Sequence, residues 1–517
     1  MTSSPASEQP GQVPKAGGLQ RLFIIFLIAN LLLACPLAYY LNLRSDEGYA
    51  MDTSSRDLGY AVYQAIHFEL QAPFYFGLLS IWRKLHDSVF FARLLSIIFI
   101  VSTAFMIREI GKRYLPQVHP AWMVGVFLFN PVTIYTEVDA RCYALVLLLV
   151  ASMLVFLYDG FLAEKPQLRA RLAYMILATI ALQTHYYTGF FLAAAGGTLL
   201  VHGKWKAFGQ YCLMMVVPAI GLGILAQYMS AQYAQKVRQA DPNNLLESLV
   251  YLVDLADNFL LATDKFEIVS LGLRWAVRGV LALLILTPFV IYFRQIRLGD
   301  LLADNRKYII TIALNMMGCY ALIYMIWGEE FVVFKFLSPF LTPIIFTAFS
   351  LIELLRSKRM LALYTTLILL CYGVALKQYY TPAIKSDDYK GVAQYLTEQS
   401  QPGQPILIFE NIHEMLLKYY YHGPNQLVAL PYPIDFSQPW GHERWVLQSE
   451  EQVKGVFDTL PADMTTCWLV THDQEVIKSV SLNHHFLESY VAQHYDVVST
   501  LHFEEMLTVR QLRKKAY

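Results

Sequence analysis

Long apolar runs alternate with short polar segments over most of the 517-residue chain. Crossing a bilayer core takes about 20 apolar residues in a helix. By that measure, runs near 22–43, 89–107, 121–138, 142–158, 172–186, 187–201, 208–228, 271–293, 308–327, 331–352 and 360–377 predict about eleven transmembrane helices. Some runs are short, and 172–201 can be divided differently. The run PFYFGLLSIW, 73–82, cannot cross and is followed at once by Arg83 and Lys84. It predicts a helix lying in the interface. Between 229 and 270 the pattern predicts a longer loop of mixed charge. After about residue 380 the pattern changes. Short apolar runs alternate with polar, helix-like stretches: ILIF (406–409), EMLLKYYY (414–421), CWLV (467–470), DVVSTL (496–501) and LTVRQL (507–512). That reading predicts a small α/β domain. The first residues are rich in Ser, Pro, Gly and Gln and should be disordered. The expected organisation is a disordered cytoplasmic tail over 1–21, a transmembrane domain over 22–380 with its first outer loop at 44–88, and an outer α/β domain over 381–517.

Composition strengthens the membrane reading. Apolar residues reach 56% and charged residues only 15%, with a mean hydropathy of +0.39; soluble domains run near ~45–50% and ~25%. Lys plus Arg and Asp plus Glu are both 40, which excludes a chain-wide basic field for nucleic acid. The six cysteines are scattered, five of them in or beside apolar runs, and their spacing suggests neither a disulfide nor a zinc site. With the N-terminus in the cytoplasm, seventeen basic residues fall in the inner segments, from Lys15 and Arg21 to Arg356, Lys358 and Arg359. The short outer turns then hold two, Arg141 and Lys335. This asymmetry follows the positive-inside rule and places the C-terminal domain outside.

Ionisable residues gather at the outer ends of these spans. Asp46 and Glu47 follow the first span directly, either as an exposed loop start or as a general base facing a cavity. Glu69 and Gln71 precede the interfacial helix that contains Tyr75. The turn after the third span, which Asn130 and Pro131 interrupt, carries Glu137, Asp139, Arg141 and Tyr143. Arg141 either bridges to Asp139 or offers a guanidinium fork to phosphate. His185 and Tyr186 sit at the next outer turn. Lys335 either snorkels to headgroups or faces the same cavity. Acids on a conduction path would lie deep within the spans. Here they lie at one face, which suits surface chemistry on a lipid-borne substrate.

In order and spacing, these residues resemble the family 39-like branch of the GT-C glycosyltransferases, relatives of protein O-mannosyltransferases and lipid A aminoarabinose transferases. Asp46 and Glu47 match the acidic pair after the first span. ELQAPFYFGLLSIW supplies Glu69, Pro73, Tyr75 and Trp82, with Gln71 where the motif has His and Ala72 where it has Pro. ARLLS, 92–96, follows. Pro131, Tyr135, Asp139, Ala140, Arg141, Tyr143, Ala144 and Leu145 match the next motif, with Asp for Glu. Lys335, Phe336, Leu337 and Pro339 stand where the family has an Arg-Tyr-Leu before a Pro, and DDYKGVAQYL, 387–396, matches a segment after the last span.

The resemblance implies a polytopic GT-C fold in the plasma (inner) membrane. It implies inverting transfer of a sugar from a polyprenyl-phosphate donor to a lipid, glycan or protein hydroxyl on the extracytoplasmic side. Asp46 and Glu47 would be catalytic, with Asp46 the base. Glu69, Gln71, Tyr75, Asp139, Arg141, Tyr143, His185, Tyr186 and Lys335 would bind substrate. No cofactor is required on this reading, although Glu47, Glu69 and Asp139 could hold a divalent cation. A transporter or flippase of a lipid-linked glycan is the alternative. It would call for repeated halves meeting at midplane, and the sequence lacks such symmetry.

Overall fold

The computed structural model describes residues 16–238, 244–266, 271–292, 298–301, 304–328, 334–381, 385, 387–438, 444–473, 475–477, 480–504 and 506–516. The expected disorder over 1–15 lies outside these residues, and 16–21 are already helical. Helix α1 spans Ala16–Tyr40. The first outer loop is itself helical: α2 (Ser45–Thr53), α3 (Leu58–His67) and α4 (Phe74–Arg83). Then come α5 (Val89–Tyr114), α6 (Pro120–Phe129), α7 (Pro131–Glu137), α8 (Tyr143–Leu157), α9 (Leu168–Leu182), α10 (Thr188–Val201), α11 (Trp205–Arg238) and α12 (Leu245–Leu260). Helices α13 (Leu271–Ile291), α14 (Arg306–Trp327), α15 (Leu341–Glu353) and α16 (Lys358–Tyr379) complete the bundle.

Each predicted apolar run is helical over most of its described residues, but the runs differ in reach. Among the described residues, eight helices are long and apolar enough to cross a bilayer. The third run breaks in two because the Asn130 side chain accepts the Val132 N–H at 2.9 Å and Pro131 starts a new helix. Helices α9 and α10 have only 15 and 14 residues. In place of the predicted loop over 229–270, α11 continues to Arg238 and α12 follows, with an Asn244–Glu247 capping box. The interfacial run forms α4 as expected. Its last residue is not at the surface, because Arg83 is buried and bonds the Met51 carbonyl, Ser54 and Asp87.

Beyond α16 the chain forms an α/β unit. It contains α17 (Tyr389–Gln399), β1 (Ile406–Phe409), α18 (Asn411–Leu417), β2 (Leu427–Leu430), α19 (Glu450–Phe457), β3 (Thr466–His472) and a small ribbon of β4 (Val476–Ile477) and β5 (Val480–Ser481). Helix α20 (His484–His494), β6 (Tyr495–His502) and β7 (Leu507–Lys514) close it. The main sheet runs β2-β1-β3-β7-β6. Strand β1 pairs in parallel with β2 and β3, while β7 is antiparallel to β3 and β6. The four residues of β1 are all buried, as a continuous apolar run in a parallel centre requires.

This unit is seated on the end of α1 and on α2. The Leu43 N–H donates to the Tyr420 hydroxyl at 2.8 Å, and Lys390 donates to the carbonyls of Tyr39 and Tyr40. The closest approach is at Gly48 of α2. A Cβ there would lie 2.6 Å from the side chains of both Met415 and Leu416 of α18, so the missing side chain allows α2 and α18 to touch.

Candidate active site

The first turn of α2 carries both acids, where the helix dipole favours negative charge. Successive residues of a helix point about 100° apart, and the two carboxylates enter different surroundings.

Glu47 is sealed, with no side-chain exposure. Arg93 Nε and Nη2 each donate to it at 2.8 Å, Lys385 Nζ at 2.9 Å, the Ala140 N–H at 2.9 Å and the Arg44 N–H at 3.2 Å. Arg93 spends its remaining donors on the carbonyls of Ala38, Leu41 and Asn42 at the end of α1. A buried guanidinium thus meets acceptors on all its nitrogens. Lys385 also donates to the Val138 carbonyl at 2.8 Å and to Asp139 at 3.0 Å. Burial alone would raise the Glu47 carboxyl, but Arg93 and Lys385 overcome it and hold it well below the usual carboxylate range.

Asp46 keeps 31% of its side chain exposed. It pairs with Lys335 and, at 3.3 Å, with Arg44. Here too burial pushes the carboxyl up, while Lys335, Arg141 and Arg44 bring it below its ordinary range. Arg141 donates to the Asp46 backbone carbonyl at 2.9 Å and pairs with Glu69 at 3.3 Å. Thr53 and Gln71 each donate to Glu69 at 3.4 Å. Burial raises the Glu69 carboxyl despite Arg141 beside it. The Tyr75 hydroxyl is buried without a hydrogen-bond partner among the described residues. An aromatic wall continues past Lys335. The His185 ring stacks on Tyr186 at 5.3 Å and tilts against Phe336 at 5.3 Å and Tyr143 at 5.7 Å.

One connected region therefore holds Asp46, Glu47, Glu69, Gln71, Asp139, Arg141, Tyr143, His185, Tyr186 and Lys335. The pairings differ from the simplest reading of the turn. Arg141 pairs with Glu69 and Asp139 with Lys385, rather than with each other. Glu47, Glu69 and Asp139 each face a cation of the chain. Arg44, Arg93 and Lys385 belong to the network and were not among the expected site residues. Arg93 sits within the ARLLS motif, and Lys385 precedes DDYKGVAQYL by two residues. A lone Lys in a polar linker gives no local sign that it is buried.

No family model matches the chain, and no curated protein matches its sequence. Solved structures do match. ArnT from Cupriavidus metallidurans bound to undecaprenyl phosphate superposes with a TM-score of 0.57 at 12% identity, over 96% of this chain and 98% of that one. The chain has the GT-C fold. The apo form of the same ArnT gives 0.57 at 12% identity, over 95% and 98%. The archaeal oligosaccharyltransferase AglB from Archaeoglobus fulgidus, in complex with an inhibitory peptide and a dolichol-phosphate, aligns over 88% of this chain and 69% of its own at 9% identity and a TM-score of 0.40. The likeness to ArnT spans the GT-C bundle and the α/β unit beyond it.

Proposed function

We propose that this chain is a membrane glycosyltransferase. It would move a sugar from a polyprenyl-phosphate carrier to an acceptor hydroxyl at the extracytoplasmic face, with inversion. The observation that carries the reading is the partly open Asp46, held between Lys335 and Arg141 beside the juxtamembrane helix α4. The full-length overlap with an ArnT bound to undecaprenyl phosphate supports it at the level of fold. Lys335 and Arg141 supply the charge-assisted donors that a departing lipid phosphate needs. Without substrate, Lys335 neutralises Asp46. An arriving phosphate draws Lys335 away and leaves Asp46 free to accept a proton. The acceptor oxygen then bonds to the anomeric carbon while its proton passes to Asp46. The bond from that carbon to the phosphate oxygen breaks, and its electron pair leaves with the lipid monophosphate. Glu47, already bound by five donors, organises the site rather than touching the acceptor.

The orientation is part of the proposal. The positive-inside count supports a network outside and basic loops in the cytoplasm. Incubating purified protein with a panel of polyprenyl-phosphate sugars and scoring free lipid phosphate tests the reaction. Carrier movement across proteoliposomes with no lipid phosphate released would replace it with transport.

A further inference from the structure

The C-terminal unit holds a cluster that the membrane-face network does not use. From β1 the chain passes through α18 to β2 on one side, then through α19 to β3 on the other. The crevice at the carboxyl ends of β1 and β3 is therefore a topological switch point, where open α/β sheets place their ligands. Glu410 directly follows β1, His472 ends β3 and His413 lies on α18. One ligand atom from each lies within 4.8 Å of the other two, and all three residues are buried. Glu410 is only 1% exposed, and its Oε1 has no hydrogen-bond partner among the described residues, an arrangement that favours a ligand. Around the cluster, Asp387 Oδ1 lies 3.2 Å from His472 Nε2, and the Tyr389 hydroxyl lies 2.6 Å from His413 Nδ1. Carboxylate and hydroxyl partners of this kind orient the imidazoles of metal sites.

We propose that Glu410, His413 and His472 bind a divalent first-row transition-metal ion, Zn²⁺ being the best match, in the crevice at the carboxyl ends of β1 and β3. Two imidazoles and one carboxylate suit zinc, and three protein ligands leave the fourth tetrahedral position to water or a substrate oxygen. The site also touches the membrane-face network through the chain. Asp387 and Tyr389 lie two and four residues beyond Lys385, and α18 carries the Met415 and Leu416 that meet Gly48 of α2. A bound ion fixes both the segment that delivers Lys385 and the helix against which α2 rests.

The test uses tag-free, full-length protein in detergent, loaded with Zn²⁺, dialysed against metal-free buffer and assayed for metal by mass spectrometry. A parallel Co²⁺ titration is followed by its visible spectrum. One zinc per chain and a tetrahedral Co²⁺ spectrum are expected. His413→Gln and His472→Gln should lose both, and Asp387→Asn should weaken affinity by roughly 10- to 100-fold. If a histidine variant does not fold, Glu410→Gln, close to isosteric, reads the same loss. Wild-type protein without zinc above background, or folded variants that keep the wild-type content, would show a metal-free hydrogen-bonded core and end the proposal. The readout is metal content, so the outcome is independent of any transferase activity.

Discussion

The two halves of the ionic network at α2 are built from the same kinds of residue and behave as opposites. Around Glu47, the Arg93–Lys385–Asp139 half is sealed, with none of these paired side chains exposed. Around Asp46, the Lys335–Arg141–Glu69 half stays partly open, with Lys335 25% exposed. Two adjacent acids thus differ in access, one closed off and the other partly open. The sealed one ties α1, α5, the 138–140 turn and the linker after α16 to one point. The open one keeps 31% of its side chain exposed beside a partly exposed Lys335. Charge alone does not distinguish the two roles; access does.

The sharpest way to break this comparison is Glu47→Gln. It leaves Arg93 and Lys385 buried without their shared anion, a change that costs about 3–5 kcal/mol. A large drop in thermal unfolding temperature in detergent is expected, with activity falling alongside. Wild-type stability would mean that the sealed half is not structural.

Asp46→Asn should do the reverse. Removing a general base typically costs 10²- to 10⁴-fold in turnover. The unfolding temperature should fall less than in Glu47→Gln, because Asp46 is partly exposed, and the binding of carrier lipid should stay close to wild type. An active Asp46→Asn enzyme would move the base elsewhere.

Lys335→Ala and Arg141→Ala sharpen the contrast within the open half. Each removes charge-assisted bonds worth about 1.5–3 kcal/mol, so turnover should fall roughly 10- to 100-fold. Lys335 is part-exposed, and its loss should spare stability. Arg141 is buried against Glu69, so its loss should lower stability as well. Wild-type turnover in Lys335→Ala would leave that residue as a partner of Asp46 alone.

The smallest effect is with pH. Asp46 and Glu47 both titrate below their ordinary range in the folded chain. The stability from their pairings is therefore fully present above about pH 4, the unfolded carboxylate value, and declines as pH falls below it. Glu47→Gln should flatten this acid limb more than Asp46→Asn. Unfolding temperatures measured across the acid range would show it, and equal slopes for the two variants would erase the distinction between the halves.

The chain's own pattern determined a great deal. Apolar runs long enough for a bilayer made it a helical membrane protein, because hydrocarbon accepts only segments that satisfy their own backbone. Asn130 and Pro131 marked a break that a cap and a fixed φ enforce locally. Four of the runs after residue 380 lie in β1, β3, β6 and β7, whereas β2 (Leu427–Leu430) was not among them, and the acids after α1 join Asp139 and Arg141 in one ionic network. Tertiary structure decided what those residues do. Lys385 reaches Glu47 across 338 positions of sequence, and Arg141 finds Glu69 rather than Asp139, two residues away. Which of two adjacent carboxylates is sealed depends on what packs over each face of one helical turn. The Glu410, His413 and His472 cluster exists only because two parallel strands end side by side. Local pattern fixes periodicity and caps; ion pairs and ligand sets are fixed by long-range contacts, which no local window contains.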